Sequence, residues 1–560
     1  MPGADPTQEL DLGSAHEKAL RTRLRGMQGD NLIARLLARD PTLWKEDPEH
    51  ARVVKNRMGW LDAAGRTLLR LEEIESFVRE IRREGVRNVV LLGMGGSSLC
   101  PDVLRRTFRR KPGFPSLLVL DSTDPQAIAG VDRRIDPGSA LFIVASKSGT
   151  TLESQVFHQY FARKAPPDHF AAITDPGTPL ETMGREQGFR RVFLNPPDIG
   201  GRYSALSCFG MVPAACLGID IAELLRRGDR MARTLAPGVP IEACAPVVLG
   251  AALGTLAAAG RDKVTFVASE RIAGFGYWVE QLIAESTGKE GKGLVPVEGE
   301  PLGPPAIYRK DRVFVHLVLR GAKDAVARRR LAALRRAGHP VITIRLEDPF
   351  DLGAEFNRWE IATAVAGSIL GINPFDEPNV RESKDNTGRV LQEYKATGIL
   401  PSFSADIREG EIQAWVSGLR EHRGLKALLG EICQSAKPGD YIALMAWLPM
   451  EEPIRKALGR IRVRLRERSR AATTLGFGPR FLHSTGQLHK GGAGNGIFLQ
   501  ITAAPARDVS IPGESYSFGV LEAAQAAGDY LSLASRGYRV ARLHLGTNKL
   551  KGLEALLALT

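Results

Sequence analysis

Apolar positions change their spacing along the chain, and the changes divide it. From Trp60 to Glu84 the residues Leu61, Leu68, Leu71, Ile74, Phe77, Val78 and Ile81 recur near a period of about 3.6, which predicts helix. Gly85 then supplies a stop signal, and residues 1–86 as a whole read as a helical segment. At Val86 the periodicity gives way to VRNVVLL, an apolar run that predicts a buried strand, followed by a glycine turn and a helix from about Pro101. Ser116 to Leu120 and Ala140 to Val144 read as further strands, with helical patterns after the second. Strands that alternate with helices and show few hairpin signals imply a parallel sheet covered on both faces.

A second run of the same kind begins after an uncharged stretch, Cys244 to Gly260. Its strands are Val264 to Ala268, Val313 to Leu319 and Pro340 to Leu346, with later candidates at Tyr441 to Leu448, Gly496 to Thr502 and Tyr538 to Leu545. The pattern therefore predicts an α/β chain with a first unit over 87–235 and a larger one over 236–560. Lys437-Pro438-Gly439-Asp440 marks a turn within the second unit. The uncharged stretch is 17 residues long and rich in Ala and Gly, short of the roughly 20 residues of a membrane span. It reads as a helix buried between units.

Composition narrows the class. Hydrophobic residues at 43% and charged residues at 25% exclude a disordered or fibrous chain. The five cysteines form no CxxC pair and have no histidines at zinc spacing, and five is odd for a disulfide framework. Reduced thiols in a cytoplasmic protein are the expectation. The N-terminus lacks the basic and apolar regions of a signal peptide. A net charge of +13 suits nucleic acid, a membrane surface or small anions. Its densest runs, Arg328 to Arg336 and Ile461 to Arg470, alternate with apolar residues and carry no aromatics, so they read as solvated faces rather than a nucleic-acid platform.

Candidate chemistry sits where strands end. Gly93-Met94-Gly95-Gly96-Ser97-Ser98 follows the first strand, a place where backbone amides converge on anions or sugar hydroxyls, with Gly96 and Ser97 as candidate contacts. It is neither GxGxxG nor a P-loop, although Asp121 ends the second strand in an acid as dinucleotide binders do. VASKSGTTLES, Val144 to Ser154, places Ser146, Lys147, Ser148, Thr150 and Thr151 at the start of a helix whose apolar face carries Leu152, Val156, Tyr160 and Phe161. Helix capping needs one of those hydroxyls; four suit a phosphate at the positive helix end. Gly200-Gly201-Arg202-Tyr203-Ser204 sets an arginine on a glycine turn, apt for developing negative charge. Gln281 to Lys289 ends an apolar helix with Glu285 among small residues, either a surface charge or a placed base. Phe481 to Gly492 carries His483 and His489, whose separation of six does not match a helical metal pair.

Together GMGGSS, ASKSGTTLES, GGRYS, AESTGK, INPFDEPNVRESK at Ile372 to Lys384 and FLHSTGQ resemble the phosphoglucose isomerase family, over residues 93–487. The resemblance implies two sugar-isomerase-type α/β domains with parallel sheets flanked by helices, after an N-terminal helical segment. It implies aldose–ketose isomerisation of glucose 6-phosphate and fructose 6-phosphate, in glycolysis and gluconeogenesis, with no cofactor and no metal. Ser146, Lys147, Ser148 and Thr151 would hold the phosphate, Glu285 would move the proton, and Arg202 would steady the enediolate. His483 and Lys384 would assist ring opening, with His489 as fallback, while Glu153 and Gln281 would line the sugar site. A homodimer with shared active sites is implied, the histidine loop reaching the neighbouring subunit. A dual phosphoglucose/phosphomannose isomerase and a non-catalytic sugar-phosphate regulator are the alternatives.

Two departures stand out. Lys384 precedes His483 by about a hundred residues, the reverse of the family's order and similar to the isomerase portion of bifunctional transaldolase/phosphoglucose isomerases. The 86 residues before the first strand cannot hold a transaldolase barrel of roughly 250, so no transaldolase activity is expected. Glu377 stands where the family has glutamine, and an acid there would repel phosphate or pair with Arg381.

Overall fold

The computed structural model describes residues 5–401, 404–420 and 423–560. A short strand, β1 (Gln8–Asp11), precedes three sheets. The first holds β2 (Asn88–Gly93), β3 (Ser116–Leu120), β4 (Ala140–Ala145), β5 (Phe170–Thr174) and β6 (Arg191–Leu194). Its order is β3-β2-β4-β5-β6 with every pair parallel. All six residues of β4, ALFIVA, are buried, the continuous apolar run expected of a strand covered by helices on both faces.

The second sheet takes β7 (Lys263–Ala268), β8 (Val295–Val297), β9 (Arg312–Leu319) and β10 (Val341–Leu346) in the order β1-β10-β9-β7-β8. The third takes β11 (Ile407–Glu409), β12 (Ile412–Ser417), β13 (Tyr441–Trp447), β14 (Ala472–Phe477), β15 (Gly496–Thr502) and β16 (Arg539–His544). It runs β11-β12-β16-β15-β13-β14, with β14, β13, β15 and β16 parallel. The strands after residue 260 thus divide between two sheets.

Several elements differ from the sequence pattern. Gln8–Asp11 is an edge strand within the expected helical segment: it pairs antiparallel with β10, and Arg358 donates to the Gln8 side chain at 2.9 Å. Four mostly polar residues carry no period of their own; the sheet edge supplies the signal. The Trp60 to Glu84 helix is two helices, Ala63–Leu68 and Leu71–Arg83. Arg70 leaves the helical path to donate to the Leu194 carbonyl at 2.6 Å and to Glu73 at 2.8 Å, and Leu69 turns into solvent. β5 and β6 escape the pattern because FAAIT is alanine-rich and RVFL has only four residues.

The Ala245–Ala258 helix is buried from Ala245 through Leu256, packed on the Leu352–Leu370 helix. Among the described residues no helix is long and apolar enough to cross a membrane. The five cysteines are buried and free. One basic run is not a solvated face throughout. Arg462 and Arg466 lie one turn apart on the inner side of the Glu452–Ser469 helix, and Arg462 donates to the Thr473 carbonyl at 3.1 Å. Buried Glu300 faces both and accepts from Arg312 at 3.0 Å, so these arginines neutralise an acid inside the molecule.

Candidate active site

Loops from the first and third sheets meet over the end of β2. Gly96 approaches the Gly201 carbonyl so closely that a Cβ there would stand 1.9 Å from it; only glycine permits that contact. Its neighbour Gly95 lies against Gln281 and His483. Gly96 and Ser97 remain half-exposed on the turn. The glycine turn is thus the hub on which the arginine loop, the glutamate helix and the histidine loop converge.

The hydroxyl-rich loop joins β4 to the Leu152–Phe161 helix. Gly149 turns the backbone with φ +68°, a conformation costly for any side-chain-bearing residue. Thr151 occupies the N-cap position yet makes no side-chain cap. Its Oγ1 instead lies 2.8 Å from Ser146 Oγ, and Ser148 Oγ lies 2.8 Å from Thr150 Oγ1. Ordinary capping therefore does not account for the hydroxyls, which gather beside free helix N–H groups. Lys147 stands apart from them. Its ammonium pairs with Asp175 and donates to the Pro197 carbonyl at 3.0 Å, which ties the loop to the ends of β5 and β6.

Behind the glycine turn, Arg202 is 3% exposed and every donor nitrogen is engaged. Nε donates to Ser286 Oγ at 2.9 Å, and Nη2 donates to the carbonyls of Pro374 and Asp376 at 2.8 and 2.7 Å. Nη1 donates to Glu377 at 3.0 Å and lies 3.2 Å from Glu285. Glu377 therefore answers Arg202 and does not pair with Arg381, whose nearest acid is Asp385 at 3.7 Å. The turn through Pro374 and Asp376 delivers it there. Asp376 is itself fixed by the buried Lys289 ammonium at 2.6 Å, whose pKa burial lowers to about 8.

Glu285 ends the Phe275–Thr287 helix beside this arginine. Burial raises its carboxyl above the usual range; Arg202 opposes the rise and Glu377 adds to it. Gln281, one turn earlier, donates to Glu285 at 3.0 Å and to the His483 carbonyl at 2.8 Å. His483 Nε2 in turn lies 3.1 Å from Glu153. Burial works against the charge on Glu153, but His483, the acid's own backbone N–H and Lys384 together outweigh it and hold the acid below its ordinary pKa. In a neutral ring, a proton on Nε2 would donate to that carboxylate and leave Nδ1 as an acceptor.

A cavity of about 250 Å³ opens on this pair, lined by Thr150, Thr151, Glu153, Lys384 and His483 among others. Lys384 reaches it from the Val380–Thr397 helix with an exposed side chain. Arg202 and Glu285 lie outside its wall, joined to it through Gln281. His489 does not take part: it is buried among Tyr441, Phe481 and Phe498 without a hydrogen-bond partner, and burial lowers its pKa to about 3. The histidine loop follows β14 of the same chain, so His483 meets its own chain's Glu153.

Two positioning residues carried no motif. Gln525, on the Phe518–Ser535 helix, donates to Glu153 at 2.8 Å and accepts from Thr123 at 2.7 Å, which orients the acid beneath His483. Arg480 donates to Asp102 at 3.1 Å and lies 3.0 Å from Asp121, fastening the histidine loop to the first sheet. Their partners are hundreds of residues away, and only two of those partners carried a sequence signal, Glu153 beside Gln525 and Asp121 beside Arg480.

Residues 71–294 match the family model for phosphoglucose isomerase. The glucose-6-phosphate isomerase of Rubrobacter xylanophilus is 28% identical over 420 residues, 64% of this chain and 93% of that protein. That of Thermus thermophilus is 29% identical over 399 residues, 61% of this chain and 90% of that protein. A solved structure of a hypothetical protein from Thermus thermophilus aligns with a TM-score of 0.56 at 26% identity, covering 70% of this chain and 100% of that one. A glucose-6-phosphate isomerase structure from Chlamydia trachomatis shares the fold with a TM-score of 0.52 at 18% identity, over 67% of this chain and 86% of that one. Through the matched segment, these relatives and the motifs gathered at one site, the chain is a relative of the phosphoglucose isomerases.

Proposed function

We propose that the protein interconverts glucose 6-phosphate and fructose 6-phosphate through an enediolate, with Glu285 as the base. The observation that carries this reading is a largely buried glutamate 3.2 Å from a fully engaged arginine, in the same cluster of loops as an uncapped set of hydroxyls. An aldose becomes a ketose when a proton leaves C2 and returns to C1 while a hydroxyl proton passes from O2 to O1. One carboxylate serves both carbon steps, and its raised pKa brings it nearer the value at which proton transfer runs in both directions. Arg202 supplies fixed positive charge near the enediolate oxygens without reorganising, because its own geometry is set by five contacts. His483, oriented by Glu153, and Lys384 face the cavity where the sugar ring opens. The deciding experiment supplies fructose 6-phosphate to the purified chain and couples the product to glucose 6-phosphate detection. Absence of turnover would reject the reading.

Two results follow from the geometry. Replacing Ser148 and Thr151 by Ala together should raise KM about 10-fold or more and leave kcat within a few-fold, since the phosphate grip is remote from C1 and C2. A fall confined to kcat would move the phosphate elsewhere. Because His483, Lys384 and Thr151 of one chain line one cavity, specific activity should stay constant on dilution through any subunit dissociation seen by light scattering. Loss of activity in step with dissociation would mean that a second copy completes the site.

A further inference from the structure

The parallel part of the third sheet repeats the connectivity of the first. In chain order, β2, β3, β4 and β5 lie in space as second-first-third-fourth, and so do β13, β14, β15 and β16. In such sheets ligands collect beyond the carboxyl ends of the strands, where the strand order reverses. The hydroxyl loop of the first sheet occupies that place, between its third strand β4 and the helix that follows. The matching place in the third sheet lies between β15 and the Phe518–Ser535 helix, and it holds a cavity of about 260 Å³, the size of the one beside His483.

Its lining includes Trp447, Thr502, Asp508, Glu522, Arg542 and His544. Trp447 is 2% exposed and Glu522 7% exposed, yet Trp447 Nε1, Glu522 Oε1 and Arg542 Nε have no hydrogen-bond partner. Among the described residues no carboxylate lies within ion-pair distance of Arg542, whose guanidinium faces the Trp415 ring at 5.5 Å. The helix start is not itself vacant: Asp508 accepts from Gly519 N at 2.8 Å and from Ser517 Oγ at 2.5 Å. What the cavity offers is therefore a half-buried guanidinium with no carboxylate partner, beside a buried carboxyl group in the same wall. Leaving such groups unpaired is costly, and a ligand with complementary atoms removes that cost.

We propose that this cavity is a second ligand site, distinct from the isomerase site, for a small hydroxylated anion whose phosphate or carboxylate meets Arg542 and whose hydroxyls meet Glu522. It stands one helical turn from Gln525, which holds Glu153, so the two cavities share a helix.

Calorimetric titration of the full chain with fructose 6-phosphate and, separately, with gluconate tests this and tells the phosphate source from the carboxylate source. For at least one ligand, Arg542→Gln should weaken a binding event about 10-fold or more. The same event should survive Ser148→Ala/Thr151→Ala, and Arg542→Gln should keep wild-type kcat. If Arg542→Gln melts too low to assay, Ala523→Leu, which fills the cavity from a half-buried helix position, should remove the event instead. An Arg542-dependent event in a chain without isomerase turnover would support this site and reject the isomerase reading. If neither ligand shows an event that responds to Arg542→Gln or to Ala523→Leu, the second site is overturned.

Discussion

Glu285→Gln should lower kcat for fructose 6-phosphate by roughly 10³-fold while leaving the fold and sugar-phosphate affinity near wild type. The substitution removes a carboxylate that burial already disfavours, so it relieves desolvation rather than creating it. Its single amide oxygen can face Arg202 Nη1, where Glu285 Oε1 lies 3.2 Å away now, at the cost of the hydrogen bond from Gln281. Arg202 keeps Glu377, Ser286 and two carbonyls, so no buried cation is stranded. What disappears is the only change that matters to the reaction, the ability to take a proton from carbon and return it. Coupled-assay kcat, calorimetric affinity and melting temperature together check the claim. Wild-type kcat would mean that another carboxylate is the base, and Glu153 would be the next to test. A large fall in affinity would instead make Glu285 a binding residue.

The places of particular residues at the candidate site were legible to different depths. Ser146, Ser148 and Thr151 could be read because their signal is local: hydroxyls, a glycine and a helix start lie within a few positions of each other. Glu285 and Arg202 stood out by motif, but neither loop states that the two meet, because their contact joins positions 83 residues apart. Glu377 shows the limit most clearly. Sequence offered Arg381 as its partner because it is near in the chain, whereas the fold turns it onto Arg202, 175 residues away. Gln525 and Arg480 carry no local pattern at all, since a buried polar residue declares itself only through the partner it satisfies. The same holds for β1, whose four residues become a strand because β10 offers an unpaired edge. Long apolar strands such as β4 and β15 were plain from burial on both faces, and short or alanine-rich ones such as β6 and β5 were not.

Arg202→Gln should cost about 3 kcal/mol of stability and at least roughly 10²-fold in kcat. The guanidinium is buried and gathers three backbone or hydroxyl partners and two carboxylates, so its loss leaves several polar groups unmet at once. Glu285 then faces burial and Glu377 with nothing of Arg202's strength to oppose them, and its pKa rises further. A base works only when deprotonated, so the acid limb of the kcat profile should move to higher pH in this variant. A merely structural role would lower stability without moving that limb. Arg202→Lys separates charge from shape. Lysine restores a positive charge, which should return part of the pH shift, but its single nitrogen has three donors and cannot span Ser286 on one side and the Pro374 and Asp376 carbonyls on the other. Stability and kcat should therefore stay low in the lysine variant. If lysine restores both, charge alone is sufficient and the planar cradle around Arg202 contributes nothing to catalysis.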